Sequence, residues 1–288
     1  MHPQLATILN AGAFVLDSDG VYSANLPLPS SGQEAERILR EDVAAQQYKD
    51  YLKVIAQSHS IAVMDHEVDR FLAAMPIGAL ILDIGGCWGW HWRRLAETRP
   101  DVGVLIVDFV RANLTHARKV LGSLVGDQIA LMHADATALP FHDASASYGF
   151  EGVWTVQVFQ HIPDFRAPVA EAYRVIKPGG RFVNYSLYAT PFNRMIYRLL
   201  GKPYHTTGMV NNIFHLTRAN DSQRKIIGDI FGEQVFERYT ECLFHPDIKL
   251  TFTGCERSWF GHIDARMGDH PWLGVWIARQ RSFEVNKS

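Results

Sequence analysis

"ALILDIGGCWGW", residues 79–90, decides the fold: it climbs through apolar residues to Asp83 and then breaks at Gly85, Gly86 and Gly89. An all-apolar run of this length suits a strand covered on both faces. Glycines have no β-carbon, so the backbone after Asp83 can turn sharply and admit a ligand while the next helix offers free N–H groups. A plain tight turn without a ligand is the alternative, because glycine-rich turns occur in both settings.

Downstream, strand and helix alternate. "WHWRRLAETRP" is helical and stops at Pro100, "VGVLIVDF" is a second buried strand, "ANLTHARKVLGSL" is helical, and "IALMHADA" and "FEGVWTVQV" are strands. "FRAPVAEAYRVIKPGG" is a helix stopped by Pro178 and two glycines, with Lys177 and Arg181 read as solvated, and "RFVNYSLY" follows as a strand. "RANDSQRKIIGDIFG" reads as a helix, "VFERYTECLF" as a sixth strand and "WLGVWIARQR" as the last, while the polar stretch 254–271 shows no period. This alternation predicts an α/β fold, a Rossmann-like doubly wound sheet of mostly parallel strands. Upstream, Ile38, Leu39, Val43, Tyr48, Tyr51, Leu52, Ile55, Val68, Phe71 and Leu72 recur at helical spacing, and residues 1–32 read as a small appendage with a loop at "LPLPSSG". The division expected is an appendage and helix over 1–47 and one domain over 48–288.

Composition narrows the function. With 28 Lys and Arg against 30 Asp and Glu, the chain has no overall positive field for nucleic acid or an anionic membrane. Cys87, Cys242 and Cys255 are too scattered for a disulfide framework or a metal knuckle, so no metal is expected. The N-terminus lacks a basic start and no apolar run approaches the roughly 20 residues of a span, so a soluble, cytoplasmic protein is expected.

In a doubly wound sheet, ligands gather at the carboxyl ends of the strands. Asp108 closes the second strand, where a carboxylate can accept from both hydroxyls of a ribose, as in NAD or S-adenosylmethionine; capping the strand end is its simpler role. Asp135 ends the third strand, placed to accept from an exocyclic amine beside the Ala136 N–H, or to cap the following turn. "LDIGG", Asp108, "DATALPF", "QHIPD" and "RVIKPGG", in that order over residues 79–186, resemble the class I S-adenosylmethionine-dependent methyltransferases of the small-molecule group.

The resemblance implies a seven-stranded sheet with an antiparallel C-terminal strand, and S-adenosylmethionine as cofactor with S-adenosylhomocysteine as product. It implies that Asp83, Gly85, Gly86, Cys87 and Gly89 surround the methionine half. Asp108 would bind the ribose, Phe109 would pack on the adenine, and Asp135 and Ala136 would bind its edge. Thr155, Val156 and Gln157 would end the fourth strand beneath the sulfonium. Cys87 stands where the family has its middle glycine and is followed by Trp88, so the loop must turn both side chains away or hold the cofactor in an altered pose. Between "LPF" and "FEGVW" the chain is about four residues longer than the family pattern, and Glu151 stands where the family often has Asp.

His161 matches a frequent family histidine; the resemblance implies a catalytic base for a hydroxyl, the alternative being a residue that holds a helix turn or the substrate. Residues 188–217 carry Tyr188, Phe192, Met195, Tyr197, Tyr204, Met209 and Phe214, broken by Pro191, Pro203 and Gly208. They read as a cap over the substrate, with a homodimer contact as the rival. The function expected is methyl transfer to an oxygen or nitrogen of a small, partly apolar metabolite; the alternative is a repurposed protein that binds the cofactor without methylating. Neither the Asn/Asp-Pro-Pro-aromatic signature of amino-nitrogen methylation nor the Pro-Cys pair of cytosine methylation follows the fourth strand, and dehydrogenase spacing is not met.

Overall fold

All five residues of Leu80–Ile84 are buried, as a strand covered on both faces requires, and the rest of the sheet is laid out from it. The computed structural model describes residues 1–24, 33–42, 44, 60–210, 214–243 and 259–288. The chain begins with α1 (Pro3–Ala11), β1 (Val15–Leu16), β2 (Val21–Ser23), α2 (33–42), α3 (Ser60–Ala73), β3 (Leu80–Ile84), α4 (Leu95–Thr98), β4 (Gly103–Asp108), α5 (Arg111–Leu121) and β5 (Ile129–His133). It continues with β6 (Phe150–Val156), α6 (Arg166–Val175), β7 (Ile176–Leu187), α7 (Pro191–Leu199), β8 (Thr207–Val210), β9 (Phe214–Thr217) and α8 (Asp221–Phe231). β10 (Phe236–Thr240), α9 (Trp259–Met267), α10 (Pro271–Ile277) and β11 (Gln280–Asn286) complete it, with 3-10 turns at Trp90–Trp92 and Phe159–His161.

Among the described residues, nine strands form one sheet in the order β1-β2-β5-β4-β3-β6-β7-β11-β10. β2, β5, β4, β3, β6 and β7 run parallel, and β11 lies antiparallel between β7 and β10. The expected seven strands are the middle and C-terminal part; the additional two come from the stretch read as an appendage, where β1 and β2 form a hairpin docked on β5. Strands of two and three residues are too short to leave a period in the sequence. Helix α1 packs Leu5, Ile8 and Leu9 into the core on one face with Phe150 and Phe182, while the other face buries Phe71, Trp92, Leu114, Trp154 and Tyr185. Two apolar layers on one sheet are the doubly wound arrangement.

Three local expectations are corrected. "WLGVWIARQR" is not a single strand: Pro271 opens α10 at its first turn, Gly274 faces Tyr239, and the strand begins only at Gln280. The patternless stretch before it contains α9. Lys177 and Arg181 are not solvated; Lys177 pairs with Glu151, and Arg181 with Glu284. Glu151 sits near the start of β6, where its other oxygen accepts from the Leu80 N–H at 2.7 Å, so it joins the strand bases far from the ligand end. Val43, Tyr48, Tyr51, Leu52, Ile55 and Cys255 lie outside the described residues.

Glu67 of α3, fully buried, accepts from Arg70, from the Tyr185 hydroxyl at 2.8 Å and from Arg238 at 2.8 Å, tying α3 to β7 and β10. Removing one partner of such a network leaves buried charge uncompensated. Glu67→Ala is expected to cost about 3 kcal/mol, read from the denaturant midpoint; a loss under ~1 kcal/mol would show that water reaches the two arginines.

Candidate active site

The strand order reverses at β3, which is flanked by β4 on one side and β6 on the other, and the carboxyl ends of these strands open on one cavity of about 550 Å³. Asp83, Asp108 and Asp135 all line it, as do Gly85, Gly86, Cys87, Phe109, Ala136, Val156, Gln157 and His161. The structure brings these predicted residues together. Thr155 and Gly89 are the exceptions: Thr155 is fully buried away from the cavity, and a β-carbon on Gly89 would meet Leu121 and Ile106 at 2.6 and 2.9 Å, so this glycine serves core packing.

Asp83 anchors the loop. Its Oδ2 accepts from Trp92 Nε1 at 2.6 Å, and a β-carbon on Gly86 would stand 2.2 Å from that same oxygen. Only glycine lets the backbone close over the carboxylate. Burial, aided by the nearby Asp108 charge and opposed by the Trp92 bond, pushes the Asp83 pKa up to about 7. Asp108 ends β4 with Oδ2 accepting from the Cys87 N–H at 3.0 Å and Oδ1 from the Val110 N–H at 2.8 Å; burial raises its pKa against these bonds. Asp135 puts its Oδ1 on the Thr137 N–H and hydroxyl, both at 2.8 Å, so the turn-capping role is real and Oδ2 remains for a ligand.

Cys87 resolves the loop departure noted in the sequence. Its φ is +51°, the left-handed conformation that glycine adopts freely, so the loop keeps a glycine-like path with a cysteine in it. Gln157 and Glu241, both at φ +57°, are the other non-glycine residues in this region among those described, and they too line the cavity. Burial pushes the Cys87 thiol pKa up, which keeps it a neutral filler. Trp88 turns toward α5, donating from Nε1 to Asn113 Oδ1 at 3.1 Å.

His161 is not placed as a free base. Nδ1 donates to the His215 carbonyl at 2.8 Å, and Nε2 lies 3.1 Å from the Gln160 amide nitrogen, whose oxygen partner already accepts from the Leu187 N–H. Both ring nitrogens are therefore engaged in a neutral imidazole. Burial, with the charge of Arg40, lowers its pKa to about 4. The expectation of proton removal gives way to a tether between the Phe159–His161 turn and the β8–β9 hairpin, with Phe214 edge-on at 5.6 Å.

The wall facing the strand tips comes from segments other than 188–217. None of the described residues of 188–217 lines the cavity; Gln33, Glu36 and Arg40 of α2 and Ile61, Met64 and Asp65 of α3 do. Helix α2 is held there by Glu41, whose carboxylate caps α5 at the Arg111 and Ala112 N–H groups at 2.7 and 3.1 Å. Arg40 pairs with the buried Glu36 at 2.7 Å, and Arg279 with Glu241 at 2.6 Å. Trp90 and His91, one turn after the glycine loop, complete the wall. No motif marks these residues: the spacing of Glu36 and Arg40 is that of any solvated helix pair, and Glu241 and Arg279 meet only through the β10–β11 pairing.

A family model for a methyltransferase domain matches residues 82–184. The chain is 34% identical over 116 residues to 27-O-demethylrifamycin SV methyltransferase of Amycolatopsis mediterranei, covering 39% of this chain and 41% of that one. It is 30% identical over 172 residues to demethylmenaquinone methyltransferase of Symbiobacterium thermophilum, covering 58% and 66%. Among solved structures, it is similar to an S-adenosylmethionine-dependent methyltransferase, possible histamine N-methyltransferase, of Thermotoga maritima, with TM-score 0.55 and 13% identity over 86% of this chain and 98% of that one. The chain thus spans less than half of the rifamycin relative and about two thirds of the demethylmenaquinone one, and the solved neighbour shares the fold.

Two outcomes follow for the loop and the histidine. Relief of the left-handed strain, about 1–2 kcal/mol less the extra chain entropy of glycine, should make Cys87→Gly more stable by about 0.5–1 kcal/mol; a fall in thermal midpoint would show that thiol packing dominates. His161 has a folded pKa near 4, below the free value of about 6.5, so its contribution is present above pH 6.5 and lost as pH falls toward 4. Stability measured over that window should fall less steeply in His161→Gln, by up to about 1.4 kcal/mol per pH unit, and identical slopes would place a titrating partner elsewhere.

Proposed function

Because the chain belongs to the class I S-adenosylmethionine-dependent methyltransferases, we propose that it transfers a methyl group to an oxygen or nitrogen of a small, partly apolar metabolite. The observation that carries this reading is the convergence of Asp83, Asp108 and Asp135, from three adjacent strand tips, on one cavity.

The lining fits the cofactor through the chemistry of its donors and acceptors. Asp108 and Asp135 present carboxylate oxygens for hydroxyl and amine donors, Asp83 offers an acid beneath the glycine loop for a cationic end, and Arg40 offers a cation for a carboxylate. Gly85 has no room for a side chain, since a β-carbon there would strike Val158 at 2.2 Å, so glycine lets the loop pack directly against the Val158 side chain. When bound, the cofactor supplies a methyl carbon made electrophilic by a positive sulfur. The protein has to align the acceptor with that carbon and keep water out. Ile61, Met64, Trp90 and Val156 give the cavity apolar wall for the second task, and the left-handed Gln157 fixes the floor through its N–H bond to the Tyr185 carbonyl at 2.7 Å. With both nitrogens of His161 engaged, its part is to hold the turn rather than to move a proton.

A protein that binds the cofactor without methylating is the second reading, and the family's replaced middle glycine at Cys87 favours it. The left-handed path retained at Cys87 weighs toward turnover. Calorimetric titration with S-adenosylmethionine and S-adenosylhomocysteine, followed by labelled methyl transfer to a panel of phenols, alcohols and amines, separates the two: failure to bind either compound defeats both readings, and binding without transfer favours the second. In the same titration, Asp108→Ala should weaken binding by about 1–3 kcal/mol through lost charge-assisted bonds, and unchanged affinity would place the ribose elsewhere.

A further inference from the structure

We infer that α7, α9 and α10 form a face that docks on an anionic lipid surface. This goes beyond methyl transfer and does not depend on it. Large apolar side chains are exposed there to a degree that a soluble surface seldom shows: Trp259 at 66%, Trp272 at 71%, Trp276 at 60% and Leu199 at 77%, with Phe192, Met195 and Ile263 also exposed. They fall on helical stripes. Phe192, Met195 and Leu199 follow one another at three and four residues on α7, Val275 and Trp276 lie three and four residues after Trp272 on α10, and Trp259 and Ile263 are one turn apart on α9. Helix α10 packs beside both α7 and α9, and the Asn193 side chain of α7 donates to the Ala278 carbonyl at its end.

Charge selects the occupant. The three helices carry Arg194, Arg198 and Arg266, all exposed and without an ion pair to any described residue, and a single acid, Asp264, which is fully buried. A chain of net charge -2 thus carries exposed arginines and exposed tryptophans on the same three helices, with no exposed acid within them. Tryptophan prefers the boundary between headgroups and acyl chains, and arginine beside it pairs with anionic headgroups. A second copy of the chain would bring the same arginines together across a symmetric contact, which disfavours self-association as the occupant. The expectation of no membrane contact rested on the absence of a span and on the whole-chain charge; among the described residues no helix is long and apolar enough to cross a bilayer, and a surface-lying face needs none. Helix α10 leads directly into Arg279 and Gln280 of the cavity wall, so such docking would set the cavity beside the lipid boundary.

Flotation of the full chain with phosphatidylglycerol-containing vesicles and with pure phosphatidylcholine vesicles tests this, with sedimentation velocity run alongside. The expected result is binding to the anionic vesicles, weakened by added salt, reduced ~30-fold in R194E/R198E and ~10-fold or more in W272A/W276A. Retained thermal midpoints in both variants would show that the loss is not unfolding. No flotation with either vesicle overturns the proposal, and so does a concentration-dependent dimer that W272A/W276A abolishes while vesicle binding is absent. Equal binding to both vesicles overturns the role given to the arginines.

Discussion

A carboxylate buried at the tip of the central strand governs the architecture above it. Asp83 is held by the Trp92 indole and overlaid by Gly86, and neither contact tolerates a larger or differently shaped neighbour. Closing the loop over this acid brings the Cys87 N–H to Asp108, so two adjacent strand tips are locked to one another through a single peptide. Trp92 in turn packs against Trp154 of β6, with ring centres 6.0 Å apart, and Trp154 against Tyr185 of β7 at 4.9 Å. One polar contact thereby registers the loop, three strands and the aromatic layer beneath them.

What the sequence made legible was the part of the molecule governed by local rules. The buried strands β3, β4 and β5 and the glycine turn are each set by residues within a few positions of one another, and they fall where the pattern places them, whereas the helix expected to stop at Pro178 ends at Val175 and Pro178 lies within β7. The three acids are legible for the same reason, since each lies within two residues of the end of its own strand. The cavity's other wall was not. Glu36, Arg40, Asp65, Glu241 and Arg279 come from elements far apart in the chain and meet only after the sheet has formed, so no spacing announces them. The apolar run from Trp272 to Ile277 reads as a strand, but Pro271 and the contact of Gly274 with Tyr239 make that segment a helix. His161 was correctly placed beside the cavity, yet the bonds that engage its two nitrogens come from Gln160 and from a hairpin 54 residues away.

Left-handed backbone at Cys87, Gln157 and Glu241 gathers at the cavity rather than scattering through the loops. Each such residue costs of order 1–3 kcal/mol and persists only where its surroundings over-determine it. Here those surroundings are hydrogen bonds to the backbone: Cys87 to Asp108, Gln157 to the Tyr185 carbonyl, and the Glu241 carbonyl to the Arg279 N–H. The cavity rim is thus rigid by construction, and the elements that roof it, α2 and α3, are attached by side-chain contacts such as the Glu41 cap on α5.

The interior position of β11 has a consequence for how the molecule comes together. A strand that is later in sequence than β10 separates it from β7, so β10 has no neighbour in the sheet until β11 has inserted. On the ribosome, β10 would emerge with its hydrogen-bonding groups unsatisfied and wait for a segment roughly forty residues further on, as long-range pairing of this kind delays folding. Assembly of this edge therefore runs against the order of synthesis, and a nascent chain arrested between the two strands would carry an unpaired ribbon open to association with its neighbours.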